Sequence, residues 1–136
     1  MPNPLSLQDA QRLVGVAVAE SQRRGLQTAV AVVDARGDLM VAVRLDGARH
    51  YYPDLAYGKA MGSAMWDEPS RVLSQRSAGN SVQQRVNRLN GDRIVFAPGA
   101  VPLRRDGVLV GAIGVGGSGP DSDEEIAMLA AQSLNP

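Results

Sequence analysis

Residues 28–45 decide the fold; they read Thr28-Ala-Val-Ala-Val-Val-Asp34-Ala-Arg-Gly37-Asp-Leu39-Met-Val-Ala-Val-Arg-Leu45. Two apolar runs rich in β-branched residues flank the turn residues between Asp34 and Asp38, a pattern that is typical of an antiparallel hairpin. A second hairpin is predicted where residues 101–104 and 108–115 flank Asp106-Gly107. Ile94–Ala97 predicts one further short strand. Five strands separated by helical segments predict an α+β fold with a central antiparallel sheet.

Helical segments are predicted around these strands. Ser6 and Asp9 fit a capping box, and apolar residues then recur at helical spacing until Gly25, a typical C-terminal stop. Pro53 suits the first turn of a second helix, which Pro69 ends. The remaining helices are predicted over residues 71–78, over residues 82–89, and from a cap at Asp121 or Ser122 to about residue 134.

The apolar residues of this sequence are small. Hydrophobic residues make up 44% of the chain, but most of them are Ala, Val and Leu. Helices and strands must therefore approach closely to fill a core. Gly58 and Gly62, four residues apart in the second helix, predict a face against which another segment of backbone packs.

Length and composition exclude several classes of protein. A chain of 136 residues predicts a single domain over residues 1–136. The formal net charge is zero, which argues against nucleic acid and against an anionic membrane surface as partners. No apolar run approaches the roughly 18 residues of a membrane span, and the N-terminus resembles no secretory signal, so we expect a cytoplasmic protein. Cysteine is absent, which excludes disulfides and thiolate chemistry.

The rare side chains of the chain lie close together in the sequence. His50 is the sole histidine and Lys59 the sole lysine, and three tyrosines and Trp66 lie in the same stretch. With one histidine and no cysteine, a protein-only transition-metal site is not expected, whereas haem needs only one axial ligand from the protein. Lys59 shares a helix face with Tyr52, Ser63 and Trp66, which is too apolar for a solvent-facing side.

Each of these residues has a functional and an ordinary interpretation. For His50 the functional interpretations are an axial ligand of haem and a proton shuttle, and the ordinary one is an exposed loop residue. Lys59 is a Schiff-base amine, an anion-binding cation or a solvated lysine. The aromatic residues form a wall for a flat ligand, or part of the core or of an interface. Arg49 and other arginines clamp carboxylates or simply carry surface charge.

The stretch Gly114-Val-Gly116-Gly-Ser-Gly119 matches the dinucleotide-binding pattern, but its context does not. That pattern belongs to the first turn of a βαβ unit, and only one helix follows here. The acidic residues that begin this helix would also repel a phosphate. We interpret the stretch as a turn at which a ligand or another subunit can approach the backbone.

Several segments together carry a resemblance that covers nearly the whole chain. They are Leu7-Gln-Asp-Ala10, Ala31-Val-Val-Asp34-Ala-Arg-Gly37, Arg44-Leu-Asp46-Gly47-Ala48, Ala56-Tyr-Gly-Lys59-Ala60, Ala97-Pro-Gly99-Ala-Val-Pro102-Leu103 and Val110-Gly-Ala-Ile-Gly114-Val-Gly-Gly117. In these segments the sequence resembles the GlcG/HbpS-like family, also called the domain of unknown function 336 or the PduO C-terminal-like domain.

The resemblance implies a five-stranded antiparallel sheet with flanking helices, and a homo-oligomer that is a dimer or higher. It also implies a small-molecule partner, because some members bind haem or take part in corrinoid metabolism. Lys59 and the loop Gly114–Gly117 lie on motif positions, and the helix of Lys59 lies near the family's ligand pocket. His50 lies in Arg49-His-Tyr-Tyr52, where members usually carry small or polar residues, so we expect a pocket adapted to a particular ligand.

Three functions follow as hypotheses. The first is a small-ligand binding protein, with haem or a related tetrapyrrole as ligand and a pocket at a subunit interface. The second is a small enzyme of lyase, isomerase or hydrolase type that acts on a carboxylated or carbonyl metabolite, with Lys59 and His50 catalytic. The third is a ligand-free accessory subunit. For the first, His50 or a tyrosine is the axial ligand and Arg49 or Lys59 meets a propionate, and the other candidate ligand-binding residues are Tyr51, Tyr52, Ser63, Trp66, Gly99, Gly116 and Gly117.

Overall fold

The computed structural model describes residues 2–135 and contains four strands and five helices within them. In chain order these are α1 (Leu7–Arg23), β1 (Ala29–Asp34), β2 (Leu39–Arg44), α2 (Tyr52–Trp66), α3 (Ser70–Arg76), α4 (Ser81–Leu89), β3 (Ala100–Arg105), β4 (Val108–Gly116) and α5 (Pro120–Gln132). The predicted α+β class and both predicted hairpins are confirmed.

The capping box at the start of α1 is confirmed. The Ser6 hydroxyl accepts a hydrogen bond from the Asp9 backbone N–H at 3.0 Å, and the Asp9 carboxylate accepts one from the Ser6 N–H at 3.1 Å. Two N–H groups that the first turn would otherwise leave unpaired are thereby satisfied. The buried face of α1 includes Leu13 and Val14, and it packs on one face of the sheet.

The sheet has the order β2-β1-β4-β3, and every neighbouring pair is antiparallel. Its two hairpins join where β1 pairs with β4, in a register that places Val32 opposite Ile113. Side chains alternate between the two faces of the sheet. The larger residues, Val32 and Ile113 among them, pack against α1 and α5, whereas small residues face α2.

The contact of α2 with the sheet is close because both surfaces are built from Ala and Gly. Ala31 pairs with Gly114 on this face, and a Cβ on Gly114 would overlap the carbonyl oxygen of Ala56 in α2. No larger side chain fits between this helix and β4. The close approach expected from the small apolar residues is therefore confirmed at this layer.

The fifth strand predicted at residues 94–97 is wrong, and the sheet has four strands. The Asn87 side chain pairs with both backbone groups of Ile94: Oδ1 accepts from its N–H at 2.9 Å, and Nδ2 donates to its carbonyl at 3.2 Å. The segment instead crosses the glycine face of α2, where a Cβ on Gly58 would meet the Arg93 carbonyl and one on Gly62 the Ile94 side chain. The predicted close-packing face of this helix is confirmed.

The predicted start of the last helix is also wrong. The N-cap of α5 is Gly119, with Pro120 in the first turn, and no side chain caps the helix. Asp121 and Ser122 lie inside the first turn, where Pro120 fits because its missing N–H is not needed.

Within residues 2–135, none of the helices has the length and apolarity needed to cross a membrane.

Candidate functional site

Lys59 and Asp123 form an ion pair in the interior of the protein. Lys59 Nζ donates to Asp123 Oδ2 at 3.1 Å and to the Val115 backbone carbonyl at 3.0 Å. Lys59 is 5% exposed and Asp123 is 2% exposed. Charged groups are rarely buried to this degree unless they are paired. The pair joins α2, α5 and the end of β4 at one point.

Asp123 also holds the loop between β4 and α5. Its Oδ1 accepts hydrogen bonds from the Ser118 backbone N–H at 2.9 Å and from the Ser118 hydroxyl at 2.5 Å. The Ser122 hydroxyl donates to the Ser118 carbonyl at 2.6 Å and closes the same turn. Both carboxylate oxygens of Asp123 are therefore engaged inside the protein, one by Lys59 and one by Ser118.

Glycine is required beside the Lys59 ammonium. A Cβ on Gly99, whose φ is +135°, would lie 2.7 Å from the Val115 carbonyl oxygen and 2.8 Å from Lys59 Nζ. Gly117, with φ +112°, passes so close to the Tyr52 ring that a Cβ there would overlap it. Gly116 is buried against Leu55 and Tyr52. The predicted glycines thus lie around Lys59 and Tyr52, with their backbones close to both side chains.

A cleft of about 390 Å³ opens above Lys59. Its lining is mostly apolar and consists of Leu55, Lys59, Val95, Ala97, Pro98, Gly117, Gly119, Pro120 and Asp123. We call it the Lys59 cleft. Its volume lies within the range of about 300–1,000 Å³ that is typical of small-molecule pockets. Apolar walls with a few polar groups, here Lys59 and Asp123, are also typical of such pockets.

The histidine and two tyrosines form a separate aromatic surface at the start of α2. His50 is exposed and Tyr51 is 43% exposed. The His50 and Tyr51 rings meet edge to face with centroids 5.6 Å apart, and Tyr51 and Tyr52 do so at 5.2 Å. Arg49 is exposed beside them. We call His50, Tyr51 and Tyr52 the aromatic surface; it adjoins the Lys59 cleft where Tyr52 contacts Gly117.

Two of the candidate ligand-binding residues lie at the other end of α2. Ser63 is fully buried, and its hydroxyl donates to the Glu68 carbonyl at 2.7 Å, just beyond the helix. Trp66 is half-buried and packs edge to face against Phe96, with ring centroids 6.1 Å apart. Neither lines the Lys59 cleft. The structure therefore places neither residue in the cleft, and these contacts hold the C-terminal end of α2.

Asp123 is the residue that the sequence interpretation missed. It was expected only as one of the acidic residues that begin the last helix. A buried lysine needs a counter-charge, and that need is the signal that could have identified an acidic partner. Asp123 lies in the first turn of α5, just after the glycine-rich loop, and from there its carboxylate meets Lys59 of α2.

The outer side of α5 is fixed by a second set of charges. Arg71 of α3 donates to Glu124 at 2.9 Å and to Asp121 at 2.7 Å. The hydrogen bond to Glu124, and then that to Asp121, raise the pKa of Arg71.

Within residues 2–135, no three His, Asp or Glu side chains lie close enough together to hold a metal ion.

Comparisons with known proteins agree on one family. The model of the family described as "Haem degrading protein HbpS-like" matches residues 5–132. The chain is 30% identical over 135 residues to the corrinoid adenosyltransferase PduO of Salmonella typhimurium, covering 98% of this chain and 40% of that protein. The chain thus spans well under half of the length of this curated relative.

Solved structures give the same answer. A double mutant of HbpS from Streptomyces reticuli superposes with a TM-score of 0.85 at 31% identity, covering 100% of this chain and 90% of that one. PduOC in complex with heme superposes with a TM-score of 0.87 at 27% identity, covering 98% and 96%. The matched residues include the whole sheet and the Lys59 cleft, and the chain belongs to the HbpS-like family.

Proposed function

We propose that this protein binds haem or a related tetrapyrrole at the aromatic surface. The observation that carries the proposal is the position of His50: its imidazole is exposed and lies edge-on to Tyr51, in a continuous group of three rings. A flat macrocycle gains most of its affinity from contacts with apolar and aromatic faces. The heme complex of PduOC, at 27% identity, adds support from a relative.

The side chains on this surface fit the chemical groups of haem. The His50 imidazole is a suitable axial ligand for the iron. Tyr51 and Tyr52 offer ring edges and faces to the porphyrin, and the exposed Arg49 is next to His50 to pair with a propionate. When bound, haem would supply an iron centre, which His50 would hold.

One chain offers an open surface here, because His50 is exposed and does not line the Lys59 cleft. A haem held by His50 would therefore expose its second face to solvent. We propose that a second copy of the chain covers that face, so that the binding protein is a homo-oligomer, a dimer or higher. The cytoplasmic location expected from the sequence stays a prediction.

Titration with hemin tests this proposal. The wild-type protein is expected to shift the Soret band of hemin and to saturate near one hemin per chain. His50→Ala should weaken binding at least tenfold, because the axial bond is lost, whereas Gln84→Ala at an exposed position of α4 should bind like the wild type. Hemin that binds His50→Ala with an unchanged band and affinity would overturn the assignment. A wild type that neither shifts the band nor binds would favour the ligand-free accessory subunit.

A further inference from the structure

We propose that the Lys59 cleft is a second binding site, which takes a small apolar ketone or aldehyde through a hydrogen bond from Lys59 Nζ to the carbonyl oxygen. This inference does not depend on haem binding. It assigns a ligand class to a cleft that lies beside the aromatic surface, and that class includes the carbonyl metabolites of the enzyme alternative.

Lys59 and Asp123 form the floor of the cleft, and their hydrogen bonds determine which kind of polar atom a ligand needs there. An ammonium has three N–H donors, and Lys59 Nζ uses two of them, on Val115 and Asp123. Asp123 has both oxygens engaged, one by Lys59 and one by Ser118. Among these side chains the group with a donor to spare is Lys59, so the ligand atom it takes is an acceptor.

The charge of the floor favours a neutral acceptor over an anionic one. Lys59 and Asp123 together carry no net charge, and they lie 3.1 Å apart. A ligand carboxylate on the same ammonium would share one cation with Asp123 at short range, in surroundings that screen little. A ketone or aldehyde oxygen accepts the same hydrogen bond without this repulsion.

Close packing around Lys59 holds its side chain at the wall of the cleft. Gly99 packs its backbone against Lys59, where a Cβ would lie only 2.8 Å from Nζ, and Lys59 itself lines the cleft. The walls formed by Leu55, Val95 and Ala97 match an apolar body behind the carbonyl.

The sole lysine makes the test direct. Protein labelled with ¹⁵N at lysine Nζ gives one side-chain ammonium resonance, that of Lys59. We expect cyclohexanone to shift this resonance saturably. Methylenecyclohexane, which has the same shape without the oxygen, and cyclohexanecarboxylate should each require at least tenfold higher concentrations for the same shift. The absence of a saturable shift with cyclohexanone, or equal shifts with cyclohexanone and methylenecyclohexane, would overturn the proposal.

A cavity-filling variant adds a second line of evidence. Ala97→Leu should weaken cyclohexanone binding at least tenfold, whereas the matched Ala19→Leu, at an exposed position of α1, should not change it. Cyclohexanone that binds Ala97→Leu as it binds the wild type would contradict the site. The comparison of the three probes needs no variant, so it decides the matter even if Ala97→Leu folds poorly.

The same variants separate this site from the proposed haem site. His50→Ala should keep the cyclohexanone shift, and Ala97→Leu should keep hemin binding. Loss of cyclohexanone binding in His50→Ala would contradict a separate cleft site. If the wild type binds cyclohexanone but does not bind hemin, the haem proposal alone is overturned.

Discussion

Lys59 of α2 and Asp123 of α5 stand 64 residues apart in the chain, and their side chains meet at 3.1 Å in the interior. This pair connects the helix on one face of the sheet to the helix on the other. It lies where β4 ends, so the pair also fixes the glycine-rich loop through Ser118. Both residues line the Lys59 cleft.

Removing one charge of the Lys59–Asp123 pair should lower the stability of the protein. Lys59→Met leaves Asp123 buried without its cation, and Asp123→Asn leaves Lys59 without its anion, so each should lower the free energy of unfolding by about 3–5 kcal/mol. The double variant should lose less than the sum, because no unpaired charge remains and Asn still offers an oxygen to Ser118. Urea unfolding of all four proteins measures the coupling, and strictly additive losses would contradict a buried charge pair.

Two glycine-to-alanine substitutions within helices should change the free energy of unfolding in opposite directions. A Cβ on Gly58 would overlap the Arg93 carbonyl and the Val95 side chain, so Gly58→Ala should lower the free energy of unfolding by about 1–3 kcal/mol. Gly15 in α1 has no neighbour within 4 Å of that position, so Gly15→Ala should raise it by about 0.5–1 kcal/mol. Thermal or urea unfolding gives both values. Stabilisation by Gly58→Ala would mean that residues 93–97 do not pack on α2 as described.

The stability of the protein should fall in acid partly through Asp9. The hydrogen bond from Arg105, and then that from the Ser6 N–H, lower the pKa of Asp9 from 3.8 to about 2. Because this carboxylate has a lower pKa in the folded state, its contribution is present above pH 4 and is lost as the pH falls toward 2. The pair is partly exposed, so the contribution should be about 0.5–1 kcal/mol.

Asp9→Asn should therefore flatten the decrease in unfolding free energy between pH 4 and pH 2. Urea unfolding at several pH values in this range measures the slope. Asp46→Asn, on the exposed turn after β2, serves as the matched control and should change the slope less. An equal effect of the two substitutions would refute the assignment to Asp9.

Features set by neighbouring residues could be predicted from the sequence. The hairpins, the capping box at Ser6 and the glycine face of α2 depend on residues a few positions apart, and the structure confirms them. Ile94–Ala97 was predicted as a strand because its residues favour one, but the Asn87 side chain pairs with the Ile94 backbone. That pairing depends on a loop conformation that the pattern of apolar residues does not specify.

In the candidate site, too, local features could be predicted from the sequence, whereas contacts set by tertiary packing could not. The apolar helix face correctly indicated that Lys59 does not point into solvent, since it is 5% exposed. Asp123 was missed because the partner of a buried charge is chosen by tertiary packing across 64 residues. Tyr52 and Lys59, which one helix face brings together, do lie beside the same loop, whereas Ser63 and Trp66 lie at the other end of that helix.

The central claim, that the His50 imidazole binds the iron of haem, is tested most directly by chemical rescue. His50→Ala is loaded with hemin, and free imidazole is added while the visible spectrum is recorded. We predict that His50→Ala lacks the Soret band of the wild-type complex and that imidazole restores it, since the small molecule replaces the missing ligand. A wild-type band already present in His50→Ala without imidazole would contradict the account.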